Sequence, residues 1–163
     1  HGGSNRYFIK KKTNSIYKIS NRVGINFKNE KKFGLHKIST YKNFAKKVAH
    51  SKKKLNSIFE SLTKRKKKII GYGATAKSCT VLNYCKIKKG TIEYFYDTTS
   101  FKINKYLPGT KIKIKKYKEL KKKDADYVFL GAWNFKDEIF RKEKHFIKNG
   151  GKFITHIPIP KVL

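Results

Sequence analysis

A short apolar strand followed directly by two glycines and a helix constrains the fold of this chain more than any other feature. Residues 69–78 read Ile-Ile-Gly-Tyr-Gly-Ala-Thr-Ala-Lys-Ser, in which Gly71, Gly73 and Ala76 fit the pattern G-x-G-x-x-G/A. The first glycine of this pattern permits a tight turn, the second lets the backbone approach a pyrophosphate, and the small third residue allows close helix–strand packing. Residues 71–76, called the glycine turn below, therefore predict phosphate binding at a helix N-terminus. A turn that needs glycine only for its dihedral angles is the alternative.

The segment from residue 66 onwards alternates between short apolar strands and helices. Strands are predicted at 68–72, 92–96, 111–114, 126–131 and 152–156, and helices at 75–86, 117–122 and 135–148. This alternation favours a mostly parallel sheet that is covered by helices on both faces. Right-handed crossovers between the strands then give a Rossmann-like domain over residues 66–163.

The residues before this segment have a different pattern. Residues 5–10 alternate well enough for a strand, and because no sustained period follows, residues 1–37 are predicted to be an N-terminal arm. From Ile38 apolar residues recur every three or four positions, which predicts a long amphipathic helix over residues 38–65. The predicted fold class is therefore α/β: a Rossmann-like, mostly parallel sheet with flanking helices, preceded by a long helix and an arm.

Polar and aromatic residues follow the ends of the second and fourth predicted strands. Asp97 lies 24 residues after Gly73, where this architecture places a ribose-binding acid. Trp133 and Asn134 come just after the fourth strand, and ligands of parallel sheets bind beyond the carboxyl ends of the strands. Trp133 would stack on a base or sugar, and Asn134 would bind a hydroxyl. The alternatives are structural: Asp97 and Asn134 as caps of the segments that follow them, and Trp133 as a core residue.

The formal charge of +32, from 42 basic and 10 acidic residues, raises the question of nucleic-acid binding. Only four of the basic residues are Arg, the side chain that reads base edges and forks onto phosphates, and the lysines are spread along the chain. The chain is rich in Lys, Ile, Asn, Tyr and Phe and poor in Arg and Pro. This composition is typical of the codon bias of an A+T-rich genome. We therefore expect a solvated lysine surface that attracts anions, and no specific nucleic acid as partner.

Other features of the sequence indicate a reduced protein without a metal site. Cys79 and Cys85 are six residues apart in one predicted helix and cannot bridge there. There is no further Cys, and the five His are scattered without an evident Ser, Cys or acidic partner.

No apolar run is long enough for a membrane span and no leader opens the chain, so we expect a cytoplasmic protein without a membrane partner. Because the sequence contains no Met and starts with His1, we expect a piece of a longer protein.

Six separated motifs occur together in the order of one known pattern. They are His-Gly-Gly-Ser at 1–4, the segment 71–78, Leu-Asn-Tyr-Cys at 82–85, Tyr-Leu-Pro-Gly-Thr at 106–110, Ala-Trp-Asn-Phe at 132–135 and Gly-Gly-Lys-Phe-Ile at 150–154. Together they resemble the C-terminal domain of S-adenosylmethionine-dependent sugar-nucleotide C-methyltransferases, enzymes that methylate deoxysugars. The resemblance covers nearly the whole chain.

The resemblance implies that this chain holds a nucleotide-diphosphate sugar, with a thymidine-diphosphate (TDP) sugar as the expected ligand. An upstream methyltransferase domain is the expected partner, and it would carry S-adenosylmethionine and zinc in the full-length enzyme. Since the family's catalytic cluster lies upstream of the motif at 1–4, the chain is expected to bind no cofactor and to be inactive alone, with His1 a weak candidate near the active site. The candidate nucleotide-sugar-binding residues are Gly71, Tyr72, Gly73, Ala74, Thr75, Ala76, Lys77, Ser78, Asn83, Asp97, Trp133 and Asn134.

Two other functions stay open at this point. The glycine turn and Asp97 suit the nucleotide-binding domain of an NAD(P)-dependent oxidoreductase, although no acid or base for hydride chemistry is visible. The net charge of +32 suits a non-enzymatic, basic nucleic-acid-binding protein.

Overall fold

The structure is a computed structural model that describes residues 4–163, so the candidate His1 lies outside the described residues. The chain forms two compact units, one that ends at Val48 and one that runs from Ala49 to Leu163. Over residues 4–163, no helix has the length and apolar character that crossing a membrane requires.

The first unit contains a helix, α1 (Asn21–Phe33), that the sequence analysis placed in an irregular arm. Its caps are local: the side chain of Ser20 accepts a hydrogen bond from the Arg22 N–H, and Gly34 ends the helix in the left-handed conformation with φ of 82°. These two residues are the signals that could have identified the helix. The strand predicted at residues 5–10 is wrong, since this segment forms no regular structure.

The long amphipathic helix is α2 (Ile38–Lys64), within a residue of the predicted end. Its residues from Ala49 onwards belong to the second unit. In that part Leu55, Phe59 and Leu62 are buried and pack against the strands. Burial of each such side chain contributes roughly 1.5–3 kcal/mol, which holds this half of the apolar stripe against the sheet.

The second unit is built on one sheet of seven strands. They are β1 (Ile69–Tyr72), β2 (Tyr94–Asp97), β3 (Tyr106–Leu107), β4 (Ile112–Lys116), β5 (Tyr127–Leu130), β6 (Lys152–Thr155) and β7 (Lys161–Val162). Their order in the sheet is β3-β4-β2-β1-β5-β6-β7. The five central strands pair in parallel, and the short edge strands β3 and β7 pair antiparallel. The predicted fold class is confirmed.

Helices cover both faces of the sheet, as the apolar strands require. On one face α2 and α3 (Ala76–Cys85) pack in a core that includes Phe95 and Phe129. On the other face α4 (Lys136–Lys142) and α5 (Lys144–Lys148) pack in a second core. Because successive strand residues point to opposite faces, β5 has to be apolar throughout.

Two helix predictions on the second face need correction. Residues 117–122 form no helix, because tertiary contacts hold this backbone instead: the Tyr117 N–H donates to the Asp97 carbonyl over 3.0 Å and the Leu120 N–H to the Glu143 carboxylate over 3.1 Å. The single helix predicted at 135–148 is divided into α4 and α5, preceded by a 3-10 turn at Trp133–Phe135. The division falls at Glu143, whose side chain is buried between partners from other segments.

Candidate functional site

The sheet order puts the glycine turn where ligands of such folds bind. Chain connections leave β1 towards β2 and β4 on one side and return to β5 and β6 on the other side. Ligands of open parallel sheets lie beyond the carboxyl ends of the strands, at the point where the order reverses. Here that point is between β1 and β5, and the glycine turn begins in the last residues of β1.

The two glycines of the turn are required for different reasons. Gly73 has a φ of 83°, and a Cβ on it would lie 2.7 Å from the Ala132 Cβ after β5. Gly71 lies inside β1, where a Cβ would lie 2.3 Å from the ring of Phe95. The expectation that Gly71 permits the tight turn is therefore corrected: it leaves space for a core aromatic ring.

The side chains of Thr75 and Ser78 form hydrogen bonds within the glycine turn and the start of α3. The Thr75 side chain caps α3 by accepting a hydrogen bond from the Ser78 N–H over 3.1 Å. The Ser78 hydroxyl donates to the Gly73 carbonyl over 2.9 Å, and Ser78 is fully buried. Both hydroxyls thus stabilise the geometry of the glycine turn.

Asp97 at the end of β2 also binds the turn. Its Oδ2 accepts from the Ala74 N–H over 2.8 Å, and its Oδ1 accepts from the Thr99 N–H over 2.8 Å. Lys102 Nζ lies 3.4 Å from the same Oδ2. The Ala74 N–H and both carboxylate oxygens are therefore already engaged within the protein.

The donors that remain at the turn belong to Ala76 and Lys77. Their backbone N–H groups open α3 and have no hydrogen-bond partner among residues 4–163. The Lys77 ammonium donates to Asn134 Oδ1 over 3.1 Å and lies 5.4 Å from the centroid of the Trp133 ring. The structure thus brings together three predicted site residues from α3 and the segment after β5.

The sequence analysis missed Lys102. Its Nζ donates to the Ala74 carbonyl over 3.1 Å, so that the ammonium lies directly on the glycine turn. A lysine five positions after a strand-ending Asp carries no spacing signal of its own, since lysines are frequent throughout this chain. The loop after β2 brings it to the turn.

Tyr72, which lies between the two glycines, forms a hydrogen bond with a buried carboxylate. Its hydroxyl donates to Glu143 Oε1 over 3.2 Å, and the Tyr117 hydroxyl donates to the same oxygen over 2.8 Å. Glu143 is 1% exposed. Burial, followed by the nearby Glu143 carboxylate, raises the pKa of the Tyr72 phenol well above its usual value, so that it stays protonated.

Asn83 is not brought to this group of residues. It lies two turns along α3 from the glycine turn, and its side-chain amide donates to the Pro108 carbonyl over 3.0 Å. A Cβ on Gly109 would lie 2.1 Å from Asn83 Oδ1, which shows how closely the helix and this loop pack. The observed role of Asn83 is to hold the loop between β3 and β4.

Among residues 4–163, no three His, Cys, Asp or Glu side chains are grouped as a metal ion would require.

His156 follows β6, is 4% exposed and stacks on Phe129 with ring centroids 5.4 Å apart. Burial lowers the pKa of His156 to about 4, so its ring is neutral at physiological pH.

Comparison with known proteins gives the same assignment as the motifs. Residues 1–158 match the family described as C-methyltransferase C-terminal domain. The chain is 33% identical over 134 residues to the C-methyltransferase NovU of Streptomyces niveus, and the match covers 82% of this chain and 32% of that protein. This chain thus spans about a third of the length of that relative. It belongs to the C-methyltransferase C-terminal domain family.

Proposed function

We propose that this chain is the substrate-binding part of a cytoplasmic C-methyltransferase and binds a nucleotide-diphosphate sugar, such as a TDP-sugar. One observation carries the proposal: Lys77, Trp133 and Asn134 meet beside two unpaired N–H groups at the switch point of the sheet. Unpaired N–H groups at a helix start attract phosphate, and a nearby lysine adds a full positive charge. The family match supports a transferase rather than an NAD(P)-dependent oxidoreductase.

The parts of such a ligand have distinct partners in this arrangement. The diphosphate would accept hydrogen bonds from the N–H groups of Ala76 and Lys77 and from the Lys77 ammonium. Trp133 would offer its ring to the base or sugar, while Asn134 would orient Lys77. Gly73, Thr75, Ser78 and Asp97 would support the turn from within, and Gly71 would leave space for the ring of Phe95. We propose no ligand contact for Asn83.

The methyl donor does not suit this site. S-adenosylmethionine carries a positive sulfonium, which the ammonium group of Lys77 beside the turn would repel. Asp97 is 8% exposed and its two oxygens accept hydrogen bonds from Ala74 and Thr99, so its carboxylate is turned to the protein rather than to a ribose. We therefore propose that the donor and zinc belong to another part of the complete enzyme, and that this chain alone is inactive.

In the complete enzyme, a base would remove the proton beside a keto group of the sugar, and the resulting carbanion would accept the methyl group. S-adenosylmethionine would supply that methyl group. The residues of this chain would bind and orient the sugar nucleotide, which lowers the entropic cost of the reaction. His1 stays a weak candidate for a position near that chemistry.

We propose that the first unit contacts an upstream methyltransferase domain. Within the described residues of this unit, large apolar side chains such as Phe8, Ile9 and Phe33 are exposed, and α1 buries none of its residues. A domain that covered these side chains would remove their apolar surface from water. We expect hydrogen–deuterium exchange of residues 4–48 to slow when that domain is present, and unchanged exchange would contradict the contact.

Calorimetry with TDP tests the proposed ligand class. We expect the chain to bind TDP and Trp133→Ala to weaken binding, while Tyr106→Ala, which removes an exposed aromatic ring on β3, leaves it unchanged. Circular dichroism would verify that both variants are folded. The proposal is wrong if the unmodified chain does not bind TDP, or if Trp133→Ala binds it equally well.

Salt dependence separates this function from nucleic-acid binding. Binding of DNA through many lysine–phosphate contacts weakens by roughly 0.9 log units per log unit of salt for each phosphate neutralised. A diphosphate site has a far shallower dependence, so TDP binding should persist at physiological ionic strength while DNA binding is lost. Sequence-selective DNA or RNA binding that survives this salt would favour the nucleic-acid alternative.

A further inference from the structure

We infer that Lys102 is a second phosphate-binding residue, which binds one phosphate of the diphosphate while Lys77 binds the other. The inference rests on the proposed diphosphate function and adds to it a residue from the opposite side of the glycine turn.

The ammonium group of Lys102 is held at the turn by two contacts. It donates to the Ala74 carbonyl over 3.1 Å and lies 3.4 Å from Asp97 Oδ2. An ammonium has three N–H donors, so one remains for a ligand. The Lys102 side chain is 29% exposed, so it is partly accessible from solvent.

The two lysines approach the turn from opposite sides of β1. Lys77 contacts Asn134 and Trp133, which follow β5, whereas Lys102 contacts Asp97, which ends β2. In the sheet, β5 and β2 are the two neighbours of β1. Each lysine therefore has a separate position along a ligand that crosses the carboxyl end of β1.

A diphosphate suits two lysines with separate partners better than a single phosphate does. The Asp97 carboxylate offsets the charge of Lys102, so the contribution of Lys102 is a directed, charge-assisted hydrogen bond rather than general attraction. A ligand with two phosphates offers one phosphate to each lysine, whereas a monophosphate cannot offer a second one. The affinity ratio of TDP to thymidine monophosphate (TMP) consequently measures whether both lysines act on the ligand.

The experiment compares TDP and TMP binding by calorimetry for the unmodified chain, Lys102→Met, Lys102→Arg and Lys77→Met. We expect the unmodified chain to prefer TDP, Lys102→Met and Lys77→Met each to lose roughly tenfold or more of that preference, and Lys102→Arg to retain part of it. Lys105→Met, which removes an exposed lysine three positions further on, is the matched control and should retain it fully.

The ratio distinguishes ligand contact from a structural role. If Lys102 only supported Ala74 and Asp97, then Lys102→Met would weaken TDP and TMP binding by the same factor, and the unchanged ratio would overturn the inference. No TDP binding by the unmodified chain would instead contradict the proposed function itself.

Discussion

The carboxylate of Asp97 accepts a hydrogen bond from the backbone N–H of Ala74 over 2.8 Å, which fastens the end of β2 to the glycine turn. Burial would raise the pKa of this carboxyl, but the hydrogen bonds from Thr99 and Ala74 and the charge of Lys102 hold the pKa below its usual value. The ionised form is therefore the one that the folded state prefers. Asp97 thus stabilises the glycine turn from the end of β2.

Replacing Asp97 should loosen the turn. In Asp97→Asn one of the two oxygens becomes an amide that cannot accept from Ala74 or Thr99, so we expect a loss of about 1–3 kcal/mol in unfolding free energy and weaker TDP binding. Urea denaturation measures the first effect and calorimetry the second. Asp137→Asn, at an exposed helix start, should change stability much less.

The pH dependence of this effect has a definite sign. Because the folded-state pKa of Asp97 is lowered, its contribution to stability is present above the unfolded-state pKa and is lost as pH falls through the folded-state value. The stability difference between the unmodified chain and Asp97→Asn should narrow at acidic pH. A difference that widened towards acid would contradict the assignment.

A side chain at Gly73 should damage both stability and binding. Gly73→Ala places a Cβ 2.7 Å from the Ala132 Cβ and forces an L-residue to a φ of 83°. We expect unfolding free energy to fall by roughly 1–3 kcal/mol and TDP affinity to fall with it. Gly24→Ala, in a helix with nothing within 4 Å, is the control and should be neutral or slightly stabilising. Equal stability of the two variants would show that the close approach to Ala132 is not required.

His156 should make the protein less stable in mild acid. Its folded-state pKa of about 4 lies below the ordinary value of 6.5, because burial disfavours the charged ring. The stability associated with the neutral ring is complete above pH 6.5 and decreases as pH falls towards 4, by up to about 3 kcal/mol.

Thermal unfolding from pH 7.0 to about 4 tests this prediction. His156→Phe removes the titrating group and should flatten the pH dependence, whereas His145→Phe, at an exposed position on α5, should leave it unchanged. If His156→Phe and the unmodified chain lose stability in parallel, another group is responsible.

The effects of substitutions at Glu143 and Tyr72 on the unfolding free energy should not be additive. Glu143→Gln presents an amide group to the Leu120 N–H or to the two phenols, so at least one donor loses its acceptor, and we expect a cost of about 1–3 kcal/mol in unfolding free energy. In a double-mutant cycle measured by urea denaturation, adding Tyr72→Phe to Glu143→Gln should cost less than Tyr72→Phe does alone. Glu138→Gln, on the exposed side of α4, is the control. Strict additivity would mean that the 3.2 Å contact contributes nothing.

Local sequence patterns determined the framework of the second unit. The five parallel strands and α3 were predictable because continuous apolar runs need burial on both faces and glycines interrupt them at fixed positions. The family followed from the motifs, and the match over residues 1–158 confirms it. The place of Trp133 and Asn134 near Lys77 also followed, since the ends of neighbouring parallel strands meet at one edge.

Only the tertiary structure decided which polar groups of those residues are engaged within the protein. Sequence spacing indicated a ribose-binding role for Asp97, but the folded chain brings three donors to its carboxylate. A contact with Ala74, far away in sequence, positions Lys102. A contact with Tyr117, also far away in sequence, holds Glu143 at the break between α4 and α5. Periodicity reports which residues prefer burial, whereas the direction of a hydrogen bond depends on partners that meet only after the strands have paired.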